Sequence, residues 1–180
     1  MQIHHLSENN SVLNHFLGQI RDVNIHNDSL RFRKNMERIG EIMAYEISKN
    51  LDYQAVAIPT PLGTKATHYI KNPLVICSIL RAGLTLHNGF LNYFDAAENG
   101  FISAYRHHPN NDDFFEIIVQ YQAIADINDK TIVLVDPMLA TGQSIVAVYN
   151  QLIQRGAPAE IHIAVVIAAP EGIAHLETEL

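Results

Sequence analysis

The sequence predicts an α/β fold: a mainly parallel β-sheet flanked by helices. Three short apolar runs rich in branched residues, at 74–79, 132–135 and 161–168, have the composition of strands buried on both faces. Amphipathic segments with helical spacing precede or separate these runs. Strands that alternate with helices form parallel sheets, and such sheets bind ligands beyond the carboxyl ends of their strands.

The N-terminal quarter predicts two helices. Apolar residues at 12, 13, 16, 17 and 20 share one helical face, and those at 32, 36, 39, 42 and 43 share another. Asn27 or Ser29 is the expected N-cap of the second helix, because a side-chain oxygen there can accept from a free backbone amide.

Strand and helix signals alternate through the rest of the chain. A short strand at 55–58 should end at Pro59, and 60–63 should form a turn. Further strands are expected at 101–105 and 116–121, with a polar loop at 107–113 between them. Helices are expected at 84–94 and 144–154, the second stopped by Gly156, and Pro170 suits the first position of a last helix.

Composition limits the function classes. With 180 residues, 48% of them apolar, the chain is large enough for one packed domain over residues 1–180. The net charge of −7 argues against broad nucleic-acid binding, and no apolar run approaches the ~20 residues that cross a bilayer. Cys77, the single cysteine, excludes an internal disulfide and a cysteine-based zinc site. The N-terminus has no signal-peptide pattern, so a cytoplasmic protein that binds neither nucleic acid nor membrane is expected.

A candidate phosphate-binding loop follows the run at 132–135. Asp136 comes directly after that run, which places its carboxylate at the ligand edge of the sheet. Thr141, Gly142 and Ser144 then open a helix, whose free amides and positive dipole end suit a phosphate. An Asp-x4-Thr-Gly pattern alone would fit an ordinary strand-to-helix turn better, and the Gly-Lys-Ser/Thr core of a Walker loop is absent.

The full word Asp-Pro-Met-Leu-Ala-Thr-Gly-Gln-Ser, from Asp136 to Ser144, closely resembles the phosphoribosyl-pyrophosphate (PRPP) loop of uracil phosphoribosyltransferases, which have the type I phosphoribosyltransferase fold. Gln143 departs from the glycine that is usual in that family. The segment Ile79-Leu80-Arg81-Ala82-Gly83-Leu84 is a second match, although Ser78 stands where the family commonly has proline. Resemblance continues at Tyr105-Arg106 and at Ala168-Ala169-Pro170-Glu171-Gly172, where Glu171 is interpreted as structural or as a helix-start acid.

The resemblance implies the reaction of PRPP with uracil to give UMP and pyrophosphate. It implies Arg81 and Asp136 as catalytic residues, since a guanidinium can clamp pyrophosphate oxygens and a carboxylate can accept from ribose hydroxyls. Mg²⁺ would be bound through PRPP, with no metal site of the protein's own. The PRPP-binding residues implied are Arg81, Arg106, Asp136, Pro137, Met138, Leu139, Ala140, Thr141, Gly142, Gln143 and Ser144.

Other properties follow from the resemblance alone. The polar loop at 107–113 would close over the active site, and assembly as a homodimer or higher homo-oligomer and activation by GTP are both permitted. The family continues past the position of Leu180 with a segment that recognises uracil. The expectation is therefore a phosphoribosyltransferase domain that is C-terminally incomplete and lacks this base-recognition segment.

Three alternatives stay open at the level of the sequence. The chain could be a PRPP-dependent transferase for another base, since base choice is made in the segment beyond Leu180. It could be a non-catalytic regulator on the same fold that senses PRPP or nucleotides. It could also be a doubly wound protein for another phosphorylated ligand, which three family words in the right order disfavour.

Overall fold

The computed structural model describes residues 1–107 and 116–180, with the side chains of all of these except Arg106, His107 and Glu116. The helices are α1 (Val12–Arg21), α2 (Ser29–Ser48), α3 (Leu84–Leu91), α4 (Gln143–Ile153) and α5 (Pro170–Glu179). The strands are β1 (Tyr53–Thr60), β2 (Gly63–Ile70), β3 (Leu74–Leu80), β4 (Glu98–His107), β5 (Glu116–Ala123), β6 (Thr131–Leu139) and β7 (Glu160–Ala168).

Five of these strands form the main sheet, in the order β5-β4-β3-β6-β7. All neighbours are parallel except β5, which runs antiparallel to β4 at one edge. The fold class predicted from the sequence is thereby confirmed. β4 and β5 lie on one side of β3, and β6 and β7 lie on the other. The carboxyl ends of β3 and β6 therefore meet where the direction of winding changes, which is where doubly wound sheets bind ligands.

Helices cover both faces of the main sheet. Ile76 and Val133 belong to one apolar cluster with α1, α2 and α3, whereas their chain neighbours Cys77 and Leu134 belong to a second cluster with α4 and α5. Successive strand residues point to opposite faces, so the continuous apolar runs fill two cores at once. Within the described residues, no helix is both long and apolar enough to cross a membrane.

The N-terminal helices are confirmed, with a different cap. Ser11 caps α1 by accepting from the amide of Leu13. The cap of α2 is Asp28, which accepts from the amide of Arg31, so the expected Asn27 or Ser29 was wrong by one position. All three are good cap residues, and spacing alone could not choose among them.

A two-stranded hairpin replaces the single short strand expected at 55–58. β1 runs through Pro59 and pairs antiparallel with β2, which the sequence did not predict. Most residues of both strands are exposed, so β2 lacks the apolar alternation that marks a half-buried strand. Pro59 is tolerated because a two-stranded sheet has an open edge on each strand.

Other boundaries shift by a few residues. β4 is longer than expected and includes His107, which was assigned to the loop at 107–113; positions 108–113 lie outside the described residues. α3 ends at Leu91 rather than at 94, and α4 both begins and ends one residue early. Its C-cap is Gln154, so Gly156 lies beyond the helix end. Pro170 is the first residue of α5, as predicted.

Candidate active site

The carboxyl ends of β3 and β6 bring together two of the predicted site residues. Arg81 directly follows β3, and Ser78 of β3 pairs with Val135, the residue before Asp136. Residues 80–83 form a tight turn, here called the Arg81 turn, in which the Leu80–Arg81 peptide bond is cis and the amide of Gly83 donates to the carbonyl of Ile79 at 3.0 Å. Arg81 is exposed at this edge.

Gly83 fixes the turn against β6. A Cβ atom on Gly83 would lie 3.0 Å from the carbonyl oxygens of both Ile79 and Val135. Its φ of −68° is available to any residue, so glycine is needed here for space. This close approach places the Arg81 turn on the strand that carries Asp136.

The segment after Asp136 is strand for longer than predicted. Met138 and Leu139 still pair with Ile167 and Ala168 of β7, so the turn expected after Asp136 begins only at Ala140. Residues 140–142 then form the β6–α4 loop. Pro137 and Leu139 are buried, so their side chains are not available to a ligand.

The first turn of α4 is open to an anion. Gly142 has φ +81° and ψ −14°, a left-handed conformation that favours glycine, and no side chain caps the helix. The first helical bond runs from Val146 to the carbonyl of Gly142. The preceding amides of the turn therefore lack helical partners and point at the loop, where the helix dipole is positive.

The start of helix α5 packs against the β6–α4 loop. The amide of Ala169 donates to the carbonyl of Leu139 at 2.8 Å, and Gly172 packs directly against the carbonyl of Ala140. The segment from Ala168 to Gly172, which matches the family pattern, thus lies against this edge of the sheet. Glu171 is exposed in the first turn of α5, a position that suits a helix-start acid.

Burial controls the charge of Asp136. Loss of hydration raises the pKa of this carboxyl to about 6, and a weak hydrogen bond from the amide of Met138, at 3.5 Å, opposes the rise only in part. A partly buried carboxylate with so little internal solvation gains from donors on a ligand. Vicinal hydroxyls of a sugar would supply such donors.

These groups line a small cavity of about 50 Å³, formed by Asp136, Met138, Leu139, Ala140, Thr141, Gly142, Ser144 and Ile145. A larger and more open hollow of about 360 Å³ lies near the start of α2, beside His26 and Arg33. We place the candidate site at the smaller cavity, because free amides and a carboxyl with a raised pKa line it, and because the Arg81 turn packs against Val135, the residue before Asp136.

The remaining predicted residues are distributed along this edge. Thr141 and Gln143 are exposed, and Ser144 is partly exposed at the start of α4. Gln143 occupies the first helical position, where a side chain is accepted without a left-handed backbone. Arg106 lies in β4 with its backbone opposite Ile117 of β5, and its side chain lies outside the described residues.

Sequence reasoning missed a polar chain behind the Arg81 turn, which runs from the buried Ser78 through the buried His87 to the exposed Asn99. Ser78 Oγ lies 2.7 Å from His87 Nδ1, and His87 Nε2 lies 2.7 Å from Asn99 Oδ1. The available signal was a serine inside the apolar run at 74–79 and a histidine inside the helix expected at 84–94. Either residue alone would be unremarkable, and only the fold places them in contact.

Comparison with known proteins gives one consistent family. The model described as "Uracil phosphoribosyltransferase" matches residues 7–180. A uracil phosphoribosyltransferase of Porphyromonas gingivalis is 47% identical over 176 residues, covering 98% of this chain and 81% of the relative. Another from Staphylococcus haemolyticus is 38% identical, with 92% of this chain and 77% of the relative covered.

Solved structures agree on the fold. The AQ2163 protein from Aquifex aeolicus superposes with a TM-score of 0.85 at 26% identity, covering 96% of this chain and 80% of that one. A hypoxanthine phosphoribosyltransferase from Staphylococcus aureus superposes with a TM-score of 0.55 at 14% identity, covering 77% and 65%. At that identity the second likeness concerns the fold alone.

Proposed function

We propose residue roles from one premise: this chain belongs to the uracil phosphoribosyltransferase family. The protein is a pentosyltransferase that moves the phosphoribosyl group of PRPP to uracil, giving UMP and pyrophosphate. In this displacement a base nitrogen loses its proton and bonds to the anomeric carbon as the bond to pyrophosphate breaks. Positive charge develops on the ribose and negative charge on the leaving group, so catalysis needs positioning and charge stabilisation and no protein nucleophile.

The β6–α4 loop would bind the 5-phosphate of PRPP. The free amides at the start of α4 donate to phosphate oxygens, and the hydroxyls of Thr141 and Ser144 add donors. Gly142 lets the backbone come close enough for these bonds. Residues Pro137 to Ala140 and Gln143 would complete the cradle, with Pro137 and Leu139 contributing backbone only.

Asp136, Arg81 and Arg106 would act on the reacting end of PRPP. Asp136 accepts hydrogen bonds from the ribose hydroxyls, which orient the anomeric carbon towards the base. Arg81 binds the pyrophosphate and stabilises the charge that it gains on leaving. Arg106 shares this task. The close packing of the Arg81 turn on the Asp136 strand is the observation that carries this assignment, because it joins a cation and a carboxylate at one edge.

Magnesium fits the donor set of this edge. The groups present are oxygen donors, namely the Asp136 carboxylate and the hydroxyls of Thr141 and Ser144. A Mg²⁺ ion held mainly through the phosphate oxygens of PRPP suits such a site. When bound, it would neutralise charge on the departing pyrophosphate.

Assembly and regulation belong to the same proposal. We propose a homodimer or higher oligomer. The β1–β2 hairpin supports this, because its Tyr53, Leu62 and Tyr69 are exposed and an isolated hairpin is only marginally stable in water.

Activation by GTP rests on the family resemblance, and assays with and without GTP test it. A cytoplasmic location is supported by Cys77, which is buried and free.

A direct assay tests the proposal. Purified protein is supplied with PRPP, Mg²⁺ and each of a panel of bases, and UMP formation is measured together with pyrophosphate release. We expect turnover with uracil that Arg81→Ala and Asp136→Asn both reduce sharply. The exposed Arg155 at the far end of α4 supplies a matched control, and Arg155→Ala should keep wild-type turnover. Wild-type turnover in Arg81→Ala would refute the role of that residue.

A further inference from the structure

A histidine joins the Arg81 turn to the sheet from behind. His87 of α3 is 2% exposed, and Ser78 of β3 is fully buried. The imidazole lies between Ser78 and Asn99, 2.7 Å from an oxygen of each. It also stacks on the ring of Phe101 of β4, with centroids 4.9 Å apart and planes at 28°. One side chain thus links α3 to both β3 and β4.

One set of directions satisfies both hydrogen bonds with the Asn99 amide oriented as it is in the structure. The oxygen of that amide accepts, so His87 Nε2 carries the proton and donates to it. A neutral imidazole then accepts at Nδ1, and the hydroxyl of Ser78 donates. Burial lowers the pKa of His87, which favours this neutral form, although the bond to Asn99 opposes the shift.

The hydrogen bond between Ser78 and His87 bridges the two ends of the Arg81 turn. Ser78 precedes Arg81 by three residues and His87 follows it by six, so their hydrogen bond closes a short loop with Arg81 inside it. The amide of His87 donates to the carbonyl of Gly83 at 2.9 Å. Ser78 supports the same glycine, because a Cβ on Gly83 would lie 3.1 Å from the Ser78 Cβ.

A serine next to a histidine also resembles a nucleophile with its base. That role does not fit, because Ser78 is fully buried and no substrate could reach its hydroxyl. A purely apolar pair would fill the same space without two directional bonds. The polar chain therefore supplies orientation, which a site must have if its cation is to meet a ligand in one geometry.

We propose that Ser78, His87 and Asn99 are positioning residues that hold the Arg81 turn in the geometry in which its guanidinium binds pyrophosphate. The inference rests on the role proposed above for Arg81. It predicts that breaking the Ser78–His87–Asn99 hydrogen bonds weakens the binding of pyrophosphate. The binding of the 5-phosphate should stay unchanged, since that half of the site is built from β6, α4 and α5.

Calorimetry with two probes tests this on the full chain. Mg²⁺-pyrophosphate reports on the Arg81 side, and ribose 5-phosphate reports on the β6–α4 loop. Ser78→Ala and Asn99→Ala should each weaken pyrophosphate binding by about three- to tenfold, the range expected for one hydrogen bond, and change ribose 5-phosphate binding by less than about twofold. Asn99 is exposed, so its variant should fold even if Ser78→Ala does not. Thr131→Val is the control, because it removes a buried hydroxyl at the opposite end of the sheet and should change neither constant.

A double variant distinguishes an effect on the position of Arg81 from a general destabilisation of the site. If the chain acts through Arg81, adding Asn99→Ala to Arg81→Ala should cause no further loss of pyrophosphate affinity. Equal losses for both probes, or a further loss in the Arg81→Ala background, would overturn the inference while leaving the role of Arg81 intact. If Arg81→Ala itself keeps wild-type pyrophosphate affinity, the proposed role of Arg81 fails first, and the inference fails with it.

Discussion

Gly142 and Gly172 face each other across the contact between the β6–α4 loop and helix α5. A Cβ on Gly142 would lie 3.1 Å from the carbonyl oxygen of Gly172, and a Cβ on Gly172 would run into the carbonyl of Ala140. Neither obstacle is the flexible end of a side chain, so the backbone itself would have to move. The loop that would hold the 5-phosphate therefore depends on two glycines from separate elements.

Gly172→Ala should displace the loop. We expect a loss of about 1–3 kcal/mol in the free energy of unfolding, typical of an overpacked site, and weaker binding of ribose 5-phosphate. Urea unfolding and calorimetry measure the two effects. Gly18→Ala in α1 is the control, since a Cβ there meets nothing within 4 Å and should stabilise the helix by about 0.5–1 kcal/mol. Wild-type stability and affinity in Gly172→Ala would show that the loop can move freely.

The sequence predicted the central strands of the fold well. The runs that became β3 and β6 are apolar on both faces, as expected for strands of a sheet covered on both sides. The run at 161–168 did form a strand, but β7 lies at the edge of the sheet, where only Ala164 is fully buried. The exposed strand β2 was missed because neither face of it is buried, so hydrophobic periodicity carries no signal there. The end of β6 was placed too early because Asp136 is a polar residue inside a strand that still pairs with β7.

The position of the candidate site residues could be predicted in part, and for a similar reason. Arg81 follows β3, and Asp136 and the β6–α4 loop lie towards the carboxyl end of β6, so sequence order was enough to place them at one edge. His87 and Asn99 carry no such signal, because their relation depends on how α3 packs across the sheet. The roles assigned to the site residues stay predictions until the variants are measured.

Arg81→Ala should reduce kcat/KM for PRPP by a factor that corresponds to about 2–4 kcal/mol, the usual effect of removing one donor to a developing charge. Arg81→Lys should recover only part of this loss, because an ammonium cannot bind two oxygens in a fork. Steady-state kinetics with saturating uracil provide the measurement. Full recovery in the lysine variant would mean that the site needs only a positive charge.

Asp136→Asn should stabilise the folded protein at neutral pH. The folded-state pKa of about 6 is above the ordinary value of 3.8, so the folded state binds more protons than the unfolded state between these values. The free energy of unfolding should therefore fall as the pH rises from about 4 to about 6, and the variant should not show this fall. Above pH 6 its advantage should reach at most about 3 kcal/mol. Asp95→Asn removes an exposed carboxyl at the amino end of β4 and should show no such gain.

The same titration should appear in ligand binding. Protonation of Asp136 removes an acceptor for the ribose hydroxyls, so PRPP affinity should decrease as the pH falls through about 6. PRPP titrates in this range too, and the ratio of wild-type to Asp136→Asn affinities cancels that contribution. Calorimetry from pH 5 to 8 should give a ratio that increases with pH. A constant ratio would argue against a contact between Asp136 and the ribose.

Leu62→Asp should weaken self-association. This leucine is completely exposed at the tip of the β1–β2 hairpin, and a charge there would oppose its burial against a second copy. Sedimentation equilibrium of the variant and the wild type measures the change in subunit number. Val23→Asp places the same charge at another exposed apolar residue, outside the hairpin, and should leave the oligomer unchanged. Equal behaviour of the two variants would remove the hairpin from the interface.

The central pairing of β3 with β6 also has a consequence for folding. Leu74 lies opposite Thr131, so β3, which precedes Arg81, and β6, which contains Asp136, begin more than fifty residues apart in the chain. Between them the chain must complete α3, β4 and β5 on one side of β3 and then return to the other. Contacts of such long range form slowly, because the entropy of closing the loop is lost before the strands pair. We therefore expect ligand-binding competence to develop late in refolding, after the N-terminal helices have acquired their structure.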